Sequence, residues 1–167
     1  MILVAVGTQF PFDRLVETVD RWAGSSNRND VVAQVGPSSL APAHLRAHAF
    51  LPPAQFQKLI EQAELIIAHC GMGSILSALS LGKPIVVVPR SAARGEHRND
   101  HQFATARRFA SQPGVTVVWD AAELLRFLDR YPITNGRTAG FEPIEAKAPR
   151  ELTERLRQFL QSGIIPA

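Results

Sequence analysis

The chain alternates short apolar runs with amphipathic stretches. Residues 1–6, MILVAV, form an apolar run ended by Gly7 and read as a buried strand. Phe12, Leu15, Val16 and Val19 then recur at the spacing of one helix face. Asp30 to Val35 reads as a second strand and Arg46 to Phe50 as a short third. Phe56, Leu59, Ile60 and Ala63 repeat the helical spacing. Leu65 to Ala68 is a strand, and Ile75, Leu76 and Leu79 mark the next helix. Pro84 to Val88 is the clearest strand, four β-branched residues between two prolines. Phe103, Ala106 and Ala110 line a helix, and Val115 to Val118 is another strand. Asp120 with Glu123 resembles a capping box ahead of Ala121, Leu124, Leu125 and Leu128. Residues 132–149 hold Gly, Pro, Thr and Asn without a period and read as an irregular loop. Leu152, Leu156, Phe159 and Leu160 predict a last helix over 150–162, stopped by Gly163.

Strands alternating with helices predict an α/β fold, a Rossmann-like parallel sheet with helices on both faces. Ligands of such folds bind beyond the carboxyl ends of the strands. That rule selects GTQFP at 7–11, HCGMGS at 69–74 and PRSAARGEHRNDHQ at 89–102. In the middle loop a helix starting near Gly73 presents unpaired N–H groups and a positive dipole end. Gly71 and Gly73 let an anion approach the backbone, and Ser74 adds a hydroxyl, which suits a phosphate or diphosphate. The competing reading gives the glycines a tight turn and Ser74 a cap. The spacing is neither a P-loop nor a dinucleotide fingerprint.

The third loop crowds Glu96, His97, Asn99, Asp100, His101 and Gln102 at a strand-to-helix junction. Capping explains Asn99 or Asp100 but not the group. His97 and His101 lie four apart beside Asp100, yet no further metal ligand is evident, so donors and acceptors for sugar and ribose hydroxyls fit better. His69 either touches a ligand or is a hydrogen-bonded core histidine. Thr8 and Gln9 either line the site or form the first turn. Cys70 reads as a small buried filler, since no base is paired with it.

Composition narrows the setting. A chain of 167 residues fits one domain with a real core, and 46% hydrophobic residues exclude global disorder. Eighteen Lys and Arg against 15 Asp and Glu, scattered along the chain, permit an anionic ligand or a membrane surface. They argue against a nucleic-acid groove. A single cysteine excludes an internal disulfide and points to a reducing cytoplasm. MILVAV is short for a signal peptide, and no apolar run approaches the roughly 20 residues of a membrane span. Membrane association is expected only through a surface or a partner.

VGTQFPFDRLV, then HCGMGS with LGKPIVVVP, then NDHQ occur in this order. Over residues 1–110 the chain resembles the glycosyltransferase family 28 C-terminal domain. Within that family it is most similar to bacterial PssE-like and EpsF-like exopolysaccharide proteins. It is also similar to the small catalytic subunit of the eukaryotic two-subunit UDP-N-acetylglucosamine transferase of dolichol-linked oligosaccharide synthesis. The resemblance implies the donor-binding, C-terminal lobe of a GT-B glycosyltransferase. Such an enzyme is inverting and metal-independent, has no cofactor and takes a UDP-sugar. By that likeness residues 1–167 are a single UDP-sugar-binding domain. Gly71, Met72, Gly73 and Ser74 meet the diphosphate, Gln102 with its neighbours meets the sugar, and Gly7, Thr8 and Gln9 border the cleft. The acceptor lobe and the general base then sit on a membrane-anchored partner that holds a lipid-linked saccharide. This chain would be cytoplasmic and recruited to the cytoplasmic membrane face. The rival readings are a stand-alone transferase with a soluble acceptor and a non-catalytic nucleotide-sugar-binding subunit.

Ser77 stands where family members often carry a ribose-binding glutamate, and Glu96 is the candidate substitute. Some relatives take glucuronic acid, so Arg90, Arg94 and Arg98 become candidates for holding a donor carboxylate. The resemblance to the eukaryotic subunit implies a C-terminal helix used for docking a partner. The stripe on the last helix is expected to pack on the domain itself, and Ile164 and Ile165 beyond it to meet the partner.

Overall fold

The computed structural model describes residues 1–131, 141–145 and 149–162. Six parallel strands form one sheet: β1 (Ile2–Ala5), β2 (Val31–Gln34), β3 (Arg46–His48), β4 (Leu65–His69), β5 (Ile85–Val88) and β6 (Val115–Val117). Their spatial order is β3-β2-β1-β4-β5-β6. The central strands β1, β2, β4 and β5 carry the apolar runs, because a strand covered on both faces must be apolar on both. β3 is a fully exposed edge strand and ends at His48, two residues before the sequence reading placed its end.

Helices cover both faces. On one face α1 (Asp13–Ser25) and α5 (Ala121–Arg130) close a core built on Phe12, Val16, Val19, Trp22, Leu124 and Leu128 against alternate strand residues such as Val4 and Ile67. On the other, α2 (Pro53–Gln62), α3 (Met72–Ser80) and α4 (His101–Phe109) bury Ile60, Ile75, Leu79 and Ala106 against Leu3, Ile66 and Val87. The period-2 alternation of β1 thus feeds two separate cores. Asp120 caps α5 by accepting from the Glu123 N–H at 2.8 Å. The Glu123 carboxylate reaches back one residue further than a capping box requires, to the Trp119 N–H at 2.8 Å.

The last helix, α6 (Arg150–Ser162), departs from expectation. Its apolar stripe is not packed on the domain. Leu152, Leu156, Phe159 and Leu160 are 48%, 52%, 40% and 82% exposed. Much of the 132–149 segment, together with Gly163, Ile164 and Ile165, lies outside the described residues.

Candidate functional site

β1 and β4 are neighbours, but the chain leaves them in opposite directions, toward β2 and toward β5. Their carboxyl ends therefore part and leave a crevice, the position at which doubly wound sheets bind ligands. It holds a cleft of about 320 Å³. One wall is the first loop, Val6, Gly7, Thr8, Gln9 and Phe10, and the floor is His69 and Gly71. The opposite wall is Arg90, His97, His101 and Gln102.

His69 is held between two glycines. A Cβ on Gly7 would sit 3.2 Å from its ring and one on Gly71 only 2.4 Å from Nε2. Gly7 also has φ +81°, a backbone that side chains other than glycine's rarely adopt. The two glycines thus make room for an imidazole. Its Nδ1 lies 3.3 Å from the Ala5 carbonyl oxygen, which can only accept, so Nδ1 carries the proton. Burial pushes the His69 pKa down to about 4. The ring is neutral near neutral pH, with Nε2 as an acceptor at the cleft. A base this weak suits hydrogen bonding to a donor hydroxyl better than general-base catalysis. Both readings of His69 thus describe the same ring, which is hydrogen-bonded to the sheet and faces the cleft.

The burial has a pH consequence. Between pH 6.5 and about 4 the unfolded chain gains a proton on His69 that the folded chain refuses. Stability is therefore lost as pH falls through that window, at about 1.4 kcal/mol per pH unit from this group. His69→Asn, which keeps a donor toward Ala5, is expected to flatten the melting temperature against pH between 6.5 and 4. Parallel profiles for parent and variant would refute the assignment.

α3 starts immediately beyond this floor. Its N-cap is Gly71, and no side chain caps it, so Ser74 is not the cap. Gly71 N–H turns back to the His69 carbonyl at 2.8 Å, and the first helical bond runs from Ile75 to Gly71. The N–H groups of Met72, Gly73 and Ser74 are left at the open end of a nine-residue helix, where the dipole is positive. A Cβ on Gly73 would meet nothing within 4 Å, so this turn faces open space. Cys70 is buried and its pKa is pushed up to about 12, so it is no nucleophile.

The third loop divides its polar residues. Beside Arg90, His97, His101 and Gln102 reach the cleft. The Glu96 carboxylate accepts from Arg14 at 2.7 and 3.0 Å and from the Ser91 N–H at 2.9 Å. Asp100 accepts from the Ala92 N–H at 2.8 Å, and Asn99 accepts from the His101 backbone and ring. These three hold the loop's own shape rather than lining the cleft. Arg90 is the larger departure. It is 2% exposed and its guanidinium donates to backbone carbonyls, so it is not open to a donor carboxylate. Phe10 is a cleft residue to which the sequence assigned no role, and it stands against His97. Their rings pack at 5.1 Å, a contact between loops 87 positions apart that no local motif encodes. His97 meets His101 edge to face at 4.6 Å, and burial together with the His101, Arg90 and Arg98 charges lowers its pKa. Among the described residues no group of three His, Cys, Asp or Glu side chains is placed to hold a metal ion.

The family model for the glycosyltransferase family 28 C-terminal domain matches residues 1–125. The UDP-N-acetylglucosamine transferase subunit ALG13 of Mus musculus is 34% identical over 115 residues, 63% of this chain and 9% of that protein. The chain therefore spans a small part of that relative's length. Among solved structures, the glycotransferase of kitacinnamycin aligns over 75% of this chain and 32% of its own, with a TM-score of 0.58 and 22% identity. An NMR structure of ALG13 aligns over 93% of both chains, with a TM-score of 0.55 and 19% identity. The fold is that of the C-terminal lobe of GT-B glycosyltransferases.

Proposed function

This chain belongs to the glycosyltransferase family 28 C-terminal domain family, and from that premise we propose that it is the donor-binding subunit of a UDP-sugar-dependent transferase. It works with a membrane-anchored polypeptide that presents a lipid-linked saccharide acceptor for exopolysaccharide or cell-surface glycan synthesis. The observation that carries this reading is the uncapped first turn of α3 opening beside a cleft at the sheet's switch point. Free N–H groups at a helix start, approached past Gly71 and Gly73, suit a diphosphate. The same groups can stabilise the negative charge that grows on the diphosphate as the sugar–oxygen bond breaks. That role calls on no resident cofactor.

Two of the three cleft imidazoles are weakened as bases. The cleft's titratable side chains are His69, held near pKa 4, His97, shifted down, His101, and the guanidinium of Arg90. In this reading the general base that takes the acceptor hydroxyl proton sits on the other lobe. No helix among the described residues is long and apolar enough to cross a membrane. The exposed stripe of α6 supports a protein partner.

Transfer from a UDP-sugar to lipid acceptor, assayed with this chain alone, the partner alone and both together, tests the reading. Activity is expected only from the pair, with UDP binding by this chain alone in calorimetry. Full activity of the chain alone on a soluble acceptor would replace it with the stand-alone enzyme. Activity of the partner alone would make this chain a non-catalytic binding subunit.

A further inference from the structure

The guanidinium of Arg90 is buried, and it faces carbonyls rather than a substrate. Nη1 donates to the Pro11 oxygen at 2.7 Å and to the Glu96 oxygen at 2.9 Å. Nη2 donates to the Phe10 oxygen at 2.9 Å and to the Val6 oxygen. The plane lies 4.8 Å from the centre of the Phe12 ring. The backbone N–H of Arg90 donates to Gln102 Oε1 at 3.1 Å. Burial lowers the Arg90 pKa to about 10, so the group is still charged at neutral pH. A buried charge answered by neutral carbonyls is costly unless its donors are well matched. What this arrangement gives in return is geometry, because a planar fork of five N–H groups fixes several acceptors at once.

The acceptors fall on both walls of the cleft. Val6 and Phe10 bracket Gly7, Thr8 and Gln9, so the cleft-lining turn is pinned at each end. Glu96 belongs to the opposite loop, whose shape is held in turn by Arg14 and the Ser91 N–H. Gln102, in the first turn of α4, lines the cleft itself and is tied to Arg90 through the backbone N–H rather than the fork. One side chain therefore spans loops about 80 residues apart and sets their separation.

We propose that Arg90 is a positioning residue that sets the shape of the donor cleft by clamping its first and third loops. Only its effect on nucleotide affinity rests on the donor-site reading. Lysine keeps the charge but has no fork, so Arg90→Lys is the informative change. In the nucleotide-free variant the backbone amide resonances of Gly7, Thr8 and Gln9 are expected to shift. UDP affinity in calorimetry should fall at least about tenfold, the loss of roughly one charged hydrogen bond's worth of alignment. Arg28→Gln, which removes the pairs with Asp30 and Glu64 at the amino ends of β2 and β4, away from the cleft, should lower the melting temperature and keep UDP affinity within about twofold.

A purely structural arginine would behave differently. Arg90→Lys would then melt earlier while the 7–9 amides and UDP affinity stayed as in the parent, and the clamp would be refuted. Should that variant not fold, the parent still decides the matter. A fixed fork gives separate, slowly exchanging Arg90 Nη–H resonances, and a single averaged signal would refute it. A parent chain that binds no UDP overturns the donor-site reading instead, and the amide and guanidinium signals then decide the clamp alone.

Discussion

Gly73→Val is expected to weaken UDP binding by roughly 100-fold, the loss of one or two hydrogen bonds to a charged diphosphate, while barely moving the melting temperature. The two effects separate because of where Gly73 sits. It lies in the first turn of α3, its φ is not positive, and a Cβ there meets nothing within 4 Å. Valine therefore fits the folded chain, and its helix propensity is no worse than that of glycine. Its two methyl groups stand in the space through which a phosphate oxygen has to approach the N–H groups of residues 72–74. Gly71→Ala makes the contrast. Its Cβ would lie 2.4 Å from His69 Nε2, so the imidazole must move and both stability and binding should suffer. Calorimetry and thermal melts on the same samples read both quantities. Unchanged UDP affinity in Gly73→Val would remove the anion site from the start of α3.

The comparison of these glycines also marks what a sequence can carry. The loop at 69–74 was legible as a turn into a helix because strand, glycines and helix follow one another in the chain, and the groups proposed to meet a diphosphate are backbone. The apolar runs of β1, β4 and β5 were legible for the same reason, since covered strands have to be apolar throughout. The third loop misled because its polar residues are adjacent in sequence but not in purpose. Glu96 is claimed by Arg14, 82 positions away, and Arg90 by carbonyls up to 84 positions away. Nothing in spacing encodes such partners, so an arginine inside a polar cluster reads as a ligand contact. The α6 stripe shows the converse limit. A 3.6-residue period reveals that a helix has an apolar face, and says nothing of what lies against it.

That face supports the second large effect. Leu152→Asp with Leu156→Asp is expected to abolish co-purification with the proposed membrane-anchored subunit and to reduce transfer in membranes to background. Both leucines are about half exposed in this chain, and Phe159 and Leu160 extend the same stripe. Fully burying each of these side chains against a partner contributes about 1.5 to 3 kcal/mol. Two carboxylates in such an interface would be desolvated without a counter-charge, which adds a penalty to the lost burial. Together these amount to at least about 100-fold in affinity. The isolated variant should still fold and bind UDP like the parent, because the substituted positions are open to water and do not line the cleft. That pairing of outcomes separates docking from folding. If the variant loses UDP binding or unfolds, the stripe serves the domain. If it still co-purifies and transfers sugar at the parent rate, the partner docks elsewhere.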